Sequence, residues 1–186
     1  ERTLGVRSAA RALVALTTSL NILFSSRYHN SDLLTRGQLM HERLAVETYY
    51  LRWDFVGISM VLSTTVALWA CHLHWANFLA PLAALGFAAN ALVAWAAFAV
   101  FERSESDRGV LIIQATLGLQ FLVPFCYSLP LAWATTCGPH VSSVWLTYLL
   151  GFFFLGLNIP RDRAAFGAHD VFHVFVVLAH VVSATL

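Results

Sequence analysis

The residues best suited to chemistry are His169 and His173, in the run His169-Asp-Val-Phe-His173 near the end of the chain. On a helix this spacing puts both imidazoles on one face, one turn apart. A helix offers two nitrogens to a single metal ion in this way. Taken alone, the pair reads equally well as interfacial histidines bonded to loops or headgroups. Two further residues shift the balance: His29 closes the first apolar segment and Asp54 opens the second. Thr18, Asn21, Ser25 and His29 fall at i, i+3, i+7 and i+11, one polar stripe on an otherwise apolar helix. Inside a membrane such stripes face the bundle interior or a wet cavity.

Three histidines and an aspartate suit Zn²⁺. Imidazole nitrogens are good zinc ligands, and three protein ligands leave a fourth position for water. Asp54 either binds the ion itself or hydrogen-bonds that water as a base. Ser25, one turn before His29, can orient a ligand or bond a substrate oxygen. The same residues also admit a hydrogen-bonded structural cluster without metal. A bis-histidine haem site is a third reading, and the i, i+4 pair argues against it. His180 lies two turns below His173 on the same face. It either lines a cavity, relays a proton, or is a neutral histidine bonded to a neighbouring helix. His41, His72, His74 and His140 fall in connections and read as solvated or interfacial.

The elements that must position these groups are apolar helices. Hydrophobic residues make up 59% of the chain, charged residues only 11%, and mean hydropathy is +0.69. Soluble domains run at roughly 25% charged, so this composition predicts an all-α integral membrane helix bundle, one domain over residues 1–186. A crossing needs ~20 mostly apolar residues. Six segments qualify: Val6–Tyr28, Trp53–Trp69, Trp75–Phe101, Val110–Leu131, Val141–Asn158 and His169–Leu186. Trp53, Trp69, Trp75, Trp133 and Trp145 lie near segment ends, as an aromatic belt would place them. Pro124 is expected to bend the fourth helix.

The basic residues are all arginines. Six crossings put Arg27, Arg36, Arg43, Arg52, Arg103, Arg108, Arg161 and Arg163 on one side, against Arg2, Arg7 and Arg11 on the other. The positive-inside rule makes the first side cytoplasmic, and with it the end that carries His29, Asp54, His169 and His173. A net charge of +1 gives no reason to expect a nucleic-acid partner. Cys71, Cys126 and Cys137 are an odd number without CxxC spacing, so they support neither a disulfide framework nor a thiolate zinc site. The chain begins at Glu1 rather than Met. It is therefore read as a segment of something longer, with a helix expected before it.

Three motifs carry a family resemblance. Ser25-Ser-Arg-Tyr-His29 resembles the SxxxH motif of the progestin and adiponectin receptor family, which includes the bacterial hemolysin III proteins. Trp53-Asp54-Phe-Val-Gly57-Ile is similar to that family's aspartate motif on the next helix. Ile159-Pro160-Arg-Asp-Arg, followed by His169-Asp-Val-Phe-His173, resembles its last loop and final HxxxH helix. The resemblance implies a seven-helix bundle, of which these six would be the second to seventh. It implies a zinc ion near the cytoplasmic face held by His29, His169 and His173, with Asp54 holding the water there. The wider superfamily contains alkaline ceramidases, so the resemblance further implies a zinc-dependent intramembrane hydrolase of a lipid amide such as ceramide. Its partners would be membrane lipids, a sphingolipid or a fatty acid. The alternative is a non-enzymatic receptor or lipid sensor with a structural zinc site. The sequence departs from the pattern in places. The interval from His29 to Asp54 is longer than in most members and comparable to that of myomaker and its relatives. Gly167-Ala168-His169 stands where the receptors have Gly-His-Ser-His. Ser183 stands where hemolysin III proteins often carry a histidine.

Overall fold

The computed structural model describes residues 2–31, 37–72, 76–101, 108–134, 136–160 and 167–185, and these are helical apart from short turns. We number the helices α1 (Arg2–His29), α2 (Met40–His72), α3 (Ala76–Trp95), α4 (Arg108–Trp133), α5 (Gly138–Gly156) and α6 (Ala168–Ala184). The first five contain stretches long and apolar enough to cross a membrane, and α6 is a shorter apolar helix. This is the membrane helix bundle expected from composition. Arg36, His74, Trp75, Arg103, Arg161 and Arg163 lie outside the described residues.

The second helix differs most from expectation. It begins at Met40, not Trp53, so much of the interval between the first two expected segments is helical. Residues 40–53 contain no glycine or proline, and polarity alone does not end a helix whose backbone bonds are satisfied. The Glu42 carboxylate accepts the Leu39 N–H at 3.0 Å and caps the start. Its 33 residues reach ~50 Å against a hydrocarbon core of ~30 Å. One end therefore projects past the apolar layer.

The chain divides into two compact units, Glu1–Val123 and Pro124–Leu186. The division falls at Pro124, inside α4, which continues as helix through both Pro124 and Pro130.

In the first unit α2 is buried on most sides, through Val56, Ile58, Val61, Leu62, Leu68 and Trp69 among others. Helix α1 is patterned inside out. Val14, Thr17, Asn21 and Ser25 are buried, while Leu13, Leu16, Ile22 and Leu23 are exposed. That is how a helix in lipid turns its polar stripe toward its neighbours. The two helices run antiparallel, because Thr17 meets Thr64 (Oγ1–Oγ1 2.8 Å) and Phe24 meets Trp53 (centroids 5.3 Å). Between these contacts the backbones approach at Gly57, where a Cβ would fall 2.8 Å from Asn21 Oδ1 and 3.1 Å from Asn21 Cα. We expect Gly57→Val to force the helices apart and cost about 1–3 kcal/mol, read as a lowered thermal unfolding midpoint in detergent. An unchanged midpoint would contradict the close approach.

A second polar knot ties α2, α3 and α4. Ser59 Oγ lies 2.7 Å from Asn90 Oδ1 and 2.9 Å from Gln120 Oε1, and Gln120 Nε2 donates to Ser63 Oγ at 3.0 Å. A hydroxyl has one proton, so it cannot donate to both amide oxygens. It donates to one of them at a time, and Asn90 Oδ1 also accepts from Ser63 Oγ at 3.1 Å and from Gln120 Nε2 at 3.3 Å. Helix α3 passes into a π-helical turn at Ala96–Val100. The wider turn carries Phe98 against Trp53 (5.1 Å) and Tyr49 (6.5 Å), with the Arg52 guanidinium over its face at 5.8 Å.

In the second unit α5 and α6 pack through aromatic rings. Phe152 meets Phe172 at 5.1 Å, and Phe154 stacks on Phe175 at 5.5 Å. Gly151 allows this, since a Cβ there would lie 2.9 Å from Phe175 Cβ. Helix α5 ends where Asn158 takes the left-handed conformation (φ 50°) and Ile159 N–H bonds Phe154 O at 3.0 Å. The tryptophans divide. Trp133 is exposed, as a belt residue would be, whereas Trp69 and Trp145 are buried rather than interfacial. The Trp145 indole donates to Ser128 Oγ at 2.9 Å. Its polar edge thus finds a protein partner instead of a headgroup.

Candidate functional site

Helix α6 starts where it does because the Asp170 carboxylate accepts the Gly167 N–H at 2.7 Å. Glycine has no side chain to return the bond, so this is one half of a capping box. The aspartate between the two histidines is thereby assigned to the helix start. Phe172 is buried, and with Phe175 it fixes the rotation of α6 against α5. His169 and His173 lie on the adjoining face, their rings 6.5 Å and 5.5 Å from that of Phe172. Both are half-buried, and their rings stack at 4.7 Å with planes 16° apart. Side by side on one helical face, two imidazoles can be offered to one ion.

His180 is buried two turns further on, and its Nε2 lies 3.1 Å from the Tyr148 hydroxyl on α5. This is the histidine bonded to a neighbouring helix among the readings the sequence allows. The sequence gives no sign that Tyr148 is the partner, because that pairing exists only once α5 and α6 pack.

The first unit holds the other candidates. His29 is exposed in the last turn of α1. Ser25 is buried at 7% exposure, and Asp54 is completely enclosed. Asp54 does not open its helix. It lies well inside α2, because that helix begins at Met40. The Phe24–Trp53 contact puts the next residues, Ser25 and Asp54, at nearly the same height on two antiparallel helices. His29 stands about 6 Å higher, one turn along α1. The stripe predicted through Thr18 also shifts. Thr17, bonded to Thr64, takes the inner position and Thr18 is half-buried. Both residues lie one turn from Asn21, and helical spacing alone does not choose between i−3 and i−4.

Ser59, Asn90 and Gln120 did not stand out as site residues. Their signal was present: a lone amide within an apolar helix usually finds a partner across the bundle. Among the described residues Cys71 and Cys137 are half-buried and Cys126 is exposed, and none of the three forms a disulfide there.

The donor chemistry fits zinc. The candidates are imidazoles, the ligand type zinc favours, and two of them already lie side by side. The solvent-excluded Asp54 carboxylate is of the kind that orients a ligand or takes a proton. The sequence profile of the haemolysin-III related family matches residues 5–184. No curated protein and no solved structure matches the chain.

Proposed function

The chain belongs to the haemolysin-III related family, and from that premise we propose a zinc-dependent intramembrane hydrolase of lipid amides, acting on a ceramide-like substrate. The stacked pair His169 and His173 is the observation that carries this reading. With His29 they would hold the ion, each offering one imidazole nitrogen. Zinc, when bound, supplies a Lewis acid that polarises a carbonyl and makes water a nucleophile near neutral pH. The chain's own residues do the rest. Asp54 takes the proton of the attacking water and returns it to the leaving amine. Ser25, at the same height, donates a hydrogen bond to a substrate oxygen. The apolar helices accept the acyl chain. The Arg-rich connections would place this end of the bundle at the cytoplasmic face.

The test is fatty-acid release from an N-acyl sphingoid lipid by the purified chain in detergent. We expect release that stops with a zinc chelator and returns with added zinc. A zinc-loaded protein that cleaves no N-acyl lipid would exclude the hydrolase and leave a receptor or lipid sensor with structural zinc.

A further inference from the structure

Asn21 is 2% exposed on the inner face of α1, and its Oδ1 has no hydrogen-bond partner among the described residues. An unpaired buried amide oxygen costs roughly 1–3 kcal/mol, and such groups commonly mark an absent water or ligand. Two of the polar side chains near it are committed elsewhere, and Thr18 Oγ1, one turn before it, is likewise without a partner among the described residues. Thr17, one turn away, bonds Thr64 Oγ1 at 2.8 Å and lies 3.0 Å from Leu13 O. Ser59 is held by Asn90 and Gln120. Asp54, when ionised, can only accept, so it cannot satisfy an oxygen. Residue 57 on the opposing helix is glycine, and a Cβ there would fall 2.8 Å from this same Oδ1.

We infer that Asn21 binds a hydroxyl group brought by a molecule other than the protein. A hydroxyl both donates and accepts, so it fits the carboxamide whichever way the amide is turned. Asn21 lies ~12 Å along α1 from His29, deep in the apolar layer. The hydroxyl therefore belongs either to the middle of a lipid chain or to an enclosed water, and not to a headgroup. The inference does not depend on the metal.

The experiment uses the full chain in detergent with two probes, octadecanoic acid and its mid-chain hydroxylated analogue. Binding is read from the thermal unfolding midpoint during titration, in wild type, Asn21→Leu and Asn21→Ala. The alanine variant is the second line should leucine not fit. For a lipid hydroxyl, wild type should bind the hydroxylated chain about 2- to 12-fold more tightly than the plain one, and both variants should bind the two equally. The preference should persist in His173→Ala, which separates this result from the metal reading. For an enclosed water the two lipids bind alike. Oxidation of Phe24 by hydroxyl radicals generated in solution should then fall several-fold in Asn21→Leu, because Phe24 lies beside Gly57 at this point. A lipid preference that survives loss of Asn21 overturns the inference. So do equal binding by wild type and unchanged Phe24 oxidation together.

Discussion

Asp54→Asn should lower fatty-acid release by about 10²- to 10⁴-fold, the usual contribution of a general base, while metal content stays near that of wild type. Asparagine has the same shape and keeps the hydrogen-bonding capacity of one oxygen, so the packing around a fully enclosed side chain is preserved. What it loses is the ability to take a proton. Asp54 shares its height with Ser25 and lies below His29, so it is placed to serve the reacting water rather than the bulk solvent. The loss should fall on kcat, with KM little changed, because the residue acts on the proton and not on the acyl chain. Unchanged turnover would remove Asp54 from the mechanism.

His173→Ala should abolish zinc binding together with the stabilisation that zinc confers. A ligand that binds only the folded state at a thousandfold excess over its Kd stabilises by about 4 kcal/mol, and the variant should lose that increment. The helix itself should persist. Its start is held by Asp170 and its rotation by Phe172 and Phe175 against α5, none of which the substitution replaces. The diagnostic is therefore an unfolding midpoint that rises with zinc in wild type and is flat in the variant. His169→Ala should behave alike. Full zinc retention in either variant would overturn the ligand assignment.

Hydropathy made the apolar segments legible, because a crossing helix must be apolar along its length. The i, i+4 histidines were legible because helical geometry fixes their relation without help from any other element. What escaped was set by tertiary packing or by backbone chemistry that polarity does not report. Helix α2 continues back to Met40 because its backbone bonds are satisfied there, although the side chains turn polar. Asp54 therefore moved from the start of a helix to its interior. Thr17 and Thr18 compete for one inner position, and only the bond to Thr64 decides between them. Trp69 and Trp145 carry the same ring as Trp133, and burial rather than residue type separates them. Tyr148 became a partner of His180 only through the approach of α5 and α6, which Gly151 permits.

The central claim is that His29, His169 and His173 hold zinc. Its most direct test is metal analysis of the detergent-purified chain, wild type beside His173→Ala. The account predicts about one zinc per wild-type chain, the stoichiometry of a single three-histidine site, and none in the variant. Wild-type protein without zinc, or zinc content indifferent to His173, would contradict it.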